Sequence, residues 1–434
     1  MTTKRTKRSN ERRRTGRRLT LQTILLQHWQ SFADEYPQPR FVRRAAYLLA
    51  HCRTAVLGGH VKRCEHGHLE AVYYNSCRHR VCPGCSSGPR ATWLARWQAK
   101  MLDTPAHHVV FTVPQELVPL WRMNKRRFTN ELFSAAKESL MTLLADPQFM
   151  GATPGLLGAL HTWSQTLAAH PHVHFIVTSG GLAKDGSWKT AKKDCLLPPR
   201  VLMHMFRGKL LARLRALVEQ SACTLPSETT QARCLSLLNR LGRATWNVRL
   251  LERYDHAAGV AIYLAKYLRG GPIGNHRLLS VRDGQVTFRY LDRRDGKSPR
   301  HAKRKLPVNK FLQLWAQHVP PAGMHTVRAY GLYASGSTAR LNEARLQLSQ
   351  TPYHPEQPIA PQQAELKSHS PVIANSACPS LCPTCGAQLK CEPLPRDNDI
   401  RPWHVLPPSP SVVKPSRGPP PSRSATDAPQ ESAA

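Results

Sequence analysis

Two histidines and two tyrosines have the spacing from which phosphodiester chemistry can be built. His172 and His174 lie in the run His170-Pro171-His172-Val173-His174, which leads into the β-branched stretch His172–Thr178. Alternate residues of a strand share a face, so the two imidazoles stand about 6.5–7 Å apart along it. A divalent ion gripped by both keeps positions open for phosphate oxygens. Tyr263 and Tyr267 fall in AIYLAKYLRGG, four residues apart on an expected helix, so both phenols leave one helical face. Lys266 and Arg269 flank them. Taken singly, histidines on a strand and tyrosines one turn apart are ordinary packing residues. Together they supply the parts of a transesterification: a nucleophile and a cation on the phosphate. A phenol, with a pKa of about 10, needs that help at neutral pH. Histidines rather than a carboxylate cage suggest Mg²⁺ or Mn²⁺, held partly by the substrate itself.

A second chemistry is written in cysteine. The block CEHGHLEAVYYNSCRHRVCPGC contains Cys64, Cys77, Cys82 and Cys85, with His66 and His68 close to the first. Zn²⁺ takes four soft or borderline ligands at a tetrahedron, and Cys82-Pro83-Gly84-Cys85 is a tight turn that offers two. The other half comes from Cys64 with His66, His68 or Cys77, which gives more candidates than places. A structural zinc ribbon is expected. Arg78, Arg80 and Arg90 surround it and Tyr73 and Tyr74 lie within it, cations for phosphates and flat rings for bases. A second cluster, Cys378, Cys382, Cys385 and Cys391, could form a smaller zinc knuckle.

The whole chain agrees with a nucleic-acid partner. Its 434 residues carry a formal net charge of +35, which calls for a polyanion. No apolar run is long enough to span a bilayer, and the first 18 residues hold nine Lys/Arg with no apolar stretch after them, unlike a signal peptide. The expectation is a cytoplasmic, nucleoid-associated protein without a membrane partner. In a reducing compartment, clustered cysteines argue for metal rather than disulfides.

The elements that must position these groups read as α+β. Residues 1–18 form a basic, disordered arm. Helical periodicity runs from about Leu19 to Leu57 and stops at Gly58-Gly59; another helix covers about Arg90–Met101. Strands are expected at His107–Val113, Leu157–Trp163 and His172–Thr178, the last closed by Ser179-Gly180-Gly181, and at Val286–Leu291. Helices fall at about Lys125–Leu144, Pro199–Glu219, His256–Leu268 and Phe311–His318. The expected division is 1–18 arm, 19–101 helical and zinc-ribbon DNA-binding domain, 102–345 nuclease domain, and 346–434 a Pro/Ser-rich, disordered tail with the second cluster at 378–391.

Five stretches resemble one family, the two-tyrosine HUH transposases of rolling-circle insertion sequences (the insertion sequence 91 type). They are LGGHVKRC (Leu57–Cys64), YNSCRHRVCPGC (Tyr74–Cys85), LHTWSQTLAAHPHVHFIVTSGGL (Leu160–Leu182), YLAKYLRG (Tyr263–Gly270) and HVPPAGMHTVRAYGLYA (His318–Ala334). The resemblance implies an HUH-endonuclease domain: a central antiparallel sheet flanked by helices, with the histidine pair on a central strand. His172 and His174 then match the metal ligands and Tyr263 and Tyr267 the nucleophiles that leave a 5′-phosphotyrosine and a free 3′-OH on single-stranded DNA. A third metal ligand is usual in such enzymes; His161 is preferred here, with Gln165 or His170 as alternatives. One departure stands out: many relatives begin the zinc block with C-x2-C, where this chain has Cys64-Glu65-His66-Gly67-His68. A replication initiator or relaxase would share the HUH site, and a non-catalytic zinc-ribbon protein would share the cysteines.

Overall fold

The computed structural model describes residues 19–85, 87–191, 196–256, 271–292, 299–356 and 381–395. The basic arm at 1–18, the expected helix carrying Tyr263, Lys266, Tyr267 and Arg269, and Cys378 lie outside them.

Helix α1 (Leu21–Glu35) begins where Thr20 Oγ1 accepts the Thr23 amide, and it buries Leu21, Ile24, Leu25, Trp29 and Phe32 at three-to-four spacing. Helix α2 (Arg40–Ala50) follows Pro39. Gly59 opens a hairpin of β1 (Gly59–Cys64) and β2 (Leu69–Tyr74), and α3 (Ser87–Lys100) comes next. Then follow β3 (Ala106–Thr112), α4 (Val118–Met123), α5 (Lys125–Ala145), β4 (Thr153–Trp163), β5 (Ala169–Leu182) and β6 (Trp188–Thr190). After α6 (Pro199–Glu219), α7 (Gln231–Arg243) and β7 (Val248–Tyr254), a meander of β8 (Leu278–Arg282), β9 (Gln285–Asp292) and β10 (Arg300–Pro307) leads to α8 (Val308–Ala316). The described chain finishes with β11 (Val327–Gly331), α9 (Thr338–Gln347) and β12 (Leu389–Leu394).

The large sheet is antiparallel, in the order β11-β4-β5-β3-β7, with β6 on the far end of β5. Alternation along its strands separates two faces. Val109, Phe111, Leu156, Leu160, Val173, Phe175 and Val177 meet α4 to α7 in one core. Ala106, Leu157, Ala159 and Ile176 point the other way, onto α3 and α9 through Leu94, Leu341 and Ala344. The faces are thus packed on different helices.

Strand β5 does not stop at Ser179-Gly180-Gly181. A Cβ on Gly180 would lie 2.6 Å from the Trp188 ring, and one on Gly181 would meet the Thr153 backbone at 2.6 Å. The glycines mark close approach within the sheet rather than a turn. Gly158 in β4 does the same, pressed between Phe133 and Phe175.

A third core joins segments distant in sequence. Residues of α1 and α2 pack with Ile273, Leu278, Val286, Phe288, Phe311 and Trp315, and Cys82 and Cys85 share that cluster. Packing therefore ties the expected N-terminal module to the meander and α8. Among the described residues, no helix is long and apolar enough to cross a membrane.

Candidate metal centres and nucleic-acid interface

β4 and β5 pair so that His161 lies directly opposite His172 and Ala159 opposite His174. Directly opposed residues of an antiparallel pair share a face, and His174 is two positions from His172. Three imidazoles therefore converge, each offering a ring nitrogen within 4.8 Å of the others. Ring centroids are 4.5 Å apart for His161–His174, 4.8 Å for His172–His174 and 5.2 Å for His161–His172. They stand on the face opposite the Phe175 core.

Hydrogen bonds orient the rings. His172 Nδ1 donates to the His170 carbonyl at 2.6 Å, since a carbonyl can only accept; the proton sits on Nδ1 and Nε2 keeps its lone pair. His174 Nδ1 lies 2.7 Å from Nε2 of His108, a buried residue of β3. If His174 coordinates through Nε2, its Nδ1–H donates to His108. Burial and mutual repulsion keep all these rings uncharged. Burial, then the His170 and His108 neighbours, push His172 down to about 4, and burial alone pushes His108 down to about 4. Burial and neighbouring imidazoles lower His161 and His174 as well. Neutral imidazole is the ligand form, so three nitrogen donors on one side of an ion fit a divalent cation with open positions.

Gln165, the other candidate third ligand, lies outside the paired part of β4 and β5 that carries the triad. It is exposed in the β4–β5 turn, with its carbonyl accepting from Arg277. His170 contributes its backbone oxygen to His172. His108 does not stand out in the sequence because His107–Val113 reads as a plain β-branched strand; its one signal is a polar pair in a strand otherwise fit for burial.

The turn behind the triad is held from the far end of α8. Leu167 is buried at a φ of +67°, a conformation costly for a bulky side chain. Its carbonyl accepts from His318 Nε2 at 2.9 Å and Gln317 Nε2 at 3.0 Å, while His318 Nδ1 accepts from Thr162 Oγ1 at 3.1 Å. Trp163 bridges His161 and His318, with centroids at 5.3 and 6.0 Å. Burial pushes His318 down to about 3 from an ordinary 6.5. Between those values the unfolded chain binds the proton that the folded chain refuses. The stability contributed here is full above pH 6.5 and is lost progressively as pH falls toward 3. With metal present, melting temperature should drop across that window, and His318→Gln should flatten the profile. An unchanged slope in the variant would remove His318 from the acid response.

Sulfur groups form two sites. Cys77, Cys82 and Cys85 converge with Cys52, whose position twelve residues before the dense block hides it from a reading of spacing alone. Sγ separations are 3.4 Å for Cys77–Cys85 and 3.9 Å for Cys82–Cys52, close to the edge of about 3.8 Å of a tetrahedron with Zn–S bonds of about 2.3 Å. The Cys77 amide also donates to Cys52 Sγ at 3.4 Å. Cys64 is not brought to this group. It ends β1, whose six residues carry the chain about 17 Å from Gly59, and it joins His68, Cys382 and Cys385 instead. His66 stands beside that second group, its Nδ1 3.4 Å from Cys385 Sγ.

Of the expected DNA contacts, Arg78 is exposed, while Arg80 and Arg90 are half-buried and line one cleft with Trp93 and His325. Arg80 also borders a cavity with Val81, Thr162, Trp163, Gly271 and His318. Gly271, the first described residue after position 256, approaches so closely that a Cβ would lie 2.5 Å from the Val81 carbonyl.

Comparison with known proteins agrees with these features. Residues 24–113 match the family model described as "Transposase zinc-binding domain" (Zn_Tnp_IS91), and residues 155–340 match "Putative transposase" (Y2_Tnp). The chain is 36% identical over 294 residues to "Putative transposase y4qJ" of Sinorhizobium fredii, covering 67% of this chain and 73% of that protein. It is 30% identical to the transposase for insertion sequence element IS801 of Pseudomonas savastanoi pv. phaseolicola, covering 65% of this chain and 68% of the relative. Among solved structures, the conjugative relaxase TrwC in complex with oriT DNA matches at 12% identity and a TM-score of 0.23, over 37% of this chain and 68% of that one, too small a likeness to support an argument.

Proposed function

Since this chain belongs to the transposase family with an IS91-type zinc-binding domain, we propose that it nicks and rejoins single-stranded DNA at transposon ends through Tyr263 and Tyr267. The observation that supports this reading is the convergence of His161, His172 and His174 on one face of the central strands.

A divalent ion on the three imidazoles would supply charge stabilisation to the scissile phosphate. Mg²⁺ or Mn²⁺ is the expected ion; Mg²⁺ sheds water reluctantly and prefers oxygen, so a nitrogen-rich site favours Mn²⁺ between the two. His161, His172 and His174 would hold that ion through unprotonated ring nitrogens, leaving its other positions open to the phosphate. The phenol of Tyr263 or Tyr267 gives up its proton as its oxygen bonds to phosphorus and the P–O3′ bond breaks, and the departing 3′-oxygen takes up a proton, so the step is balanced. A 5′-phosphotyrosine keeps the energy of the broken bond, so a later 3′-OH can attack it, free the phenol and rejoin DNA without ATP. Two phenols four positions apart in sequence would permit successive cleavages. Arg80 and Arg90 would hold backbone phosphates and Trp93 a base along the cleft leading from the zinc block. Zinc on Cys52, Cys77, Cys82 and Cys85 would fix the turn from which Arg78 and Arg80 project.

Incubation of the protein with a labelled single-stranded terminus oligonucleotide and Mn²⁺ tests this. The expected product is a covalent adduct that survives SDS and disappears in the Tyr263→Phe/Tyr267→Phe double variant. Absence of an adduct on every terminus tried would leave a non-catalytic DNA-binding module.

A further inference from the structure

We infer that the C-terminal segment 381–395 and the β1–β2 hairpin jointly bind a second zinc ion through Cys64, His68, Cys382 and Cys385. The donor atoms already sit at tetrahedral separations. Cys385 Sγ is 3.6 Å from Cys64 Sγ, and His68 Nδ1 is 3.5 Å from Cys64 Sγ and 3.8 Å from Cys382 Sγ. Edges of about 3.8 Å between sulfurs and about 3.5 Å between sulfur and nitrogen follow from Zn–S of about 2.3 Å and Zn–N of about 2.0–2.1 Å. A sulfur pair at 3.6 Å is far beyond the disulfide length of about 2.05 Å.

The two halves are built alike. In the hairpin, the Gly67 amide donates to the Cys64 carbonyl at 3.0 Å and the Cys64 amide to the His68 carbonyl at 3.2 Å. In the tail, the Gly386 amide donates to the Cys382 carbonyl and the Cys382 amide to the Ala387 carbonyl, both at 2.8 Å. Gly67 and Gly386 take φ values of +81° and +72°, which each turn requires to close behind its donors. Two such knuckles facing each other across one point are a metal site's geometry, whereas packing alone would have no need to aim four donors inward.

Strand energetics point the same way. β12 adds to β1 in unbroken antiparallel register from Gly59↔Leu394 to Cys64↔Leu389, yet its residues are exposed or half-exposed throughout. Little apolar surface is buried, and the Arg63–Glu392 ion pair is solvent-exposed at 3.9 Å. A short strand in a three-stranded sheet of this kind is marginal without another tie. His68 and Cys382 are 314 positions apart, and a metal bond repays closure of so long a loop. Cys391, on β12 opposite Lys62, is exposed and stands outside the group.

Full-length protein loaded with Co²⁺ and titrated against Zn²⁺ tests the assignment, because thiolate-to-cobalt absorption reports sulfur sites and is silent at the histidine triad. Wild type should show two thiolate-bound ions per chain. Cys64→Ser and Cys382→Ser/Cys385→Ser should each leave one, and all three substitutions together should still leave one. Two ions remaining in the tail variant, or additive losses in the combination, would overturn the inference. Alkylation of the unmutated protein provides a readout that needs no variant. Zn²⁺ should protect Cys64, Cys382 and Cys385 together and a chelator should expose them together; independent exposure, or a Cys64–Cys385 disulfide, counts against the site. These outcomes do not depend on whether the tyrosines cut DNA.

Discussion

His172→Ala is expected to slow nicking of a single-stranded terminus by about 10²–10³-fold. Its Nδ1 is committed to the His170 carbonyl, so its Nε2 is the nitrogen that would join His161 and His174 in holding the proposed ion. Losing one of three donors weakens an ion whose charge on the phosphate is worth several kcal/mol, and each 1.36 kcal/mol is tenfold in rate. Substitution on the neighbouring shell should cost less. His108→Phe, which removes the partner of His174 Nδ1, should weaken Mn²⁺ binding by roughly 10–100-fold. His170→Ala should do little, since the backbone oxygen that orients His172 remains. Nicking rates as a function of Mn²⁺ concentration, with melting temperatures as a control for folding, separate the three. A His170→Ala defect equal to that of His172→Ala would mean that the ligand set is misassigned.

Cys52→Ser is expected to remove one zinc per chain and lower the melting temperature by at least about 10 °C. Structural zinc in small domains is worth about 10–16 kcal/mol of apparent binding energy, and 1 kcal/mol shifts melting by about 2–4 °C at domain sizes of 150–250 residues. The sulfurs of Cys52, Cys82 and Cys85 also belong to the core shared with Trp315 and Phe288, so loss of the ion should loosen α2 and the meander together. Cys223→Ser, at a half-buried cysteine outside both sulfur groups, should change neither quantity. Metal analysis of the purified variants decides the matter: a full zinc complement in Cys52→Ser contradicts the site.

Much of this chemistry was legible in residue spacing. His172 and His174 share a face because strand residues alternate, and any strand through HVHFIVT would present them together. The Cys82-Pro83-Gly84-Cys85 turn is local in the same sense. Helices α1 and α2 followed from apolar periodicity, which depends only on neighbours within a few turns. Local signals misled where glycine stood for close packing: Gly180 and Gly181 read as a strand end, yet the Trp188 ring and the Thr153 backbone lie where side chains would be.

What the sequence determined by itself is therefore the donor inventory and the short-range faces: two strand histidines, a sulfur-rich turn and a basic surface seeking a polyanion. Tertiary structure alone decided which donors meet. His161 reaches His172 through the β4–β5 register, His108 reaches His174 from β3, and Cys52 displaces Cys64, which pairs with cysteines more than 300 positions away. The physical reason is that a strand or turn sets the direction of a side chain over a few residues. Which distant segment lies opposite is set by strand pairing and by cores assembled from remote parts of the chain, and no local spacing encodes that choice.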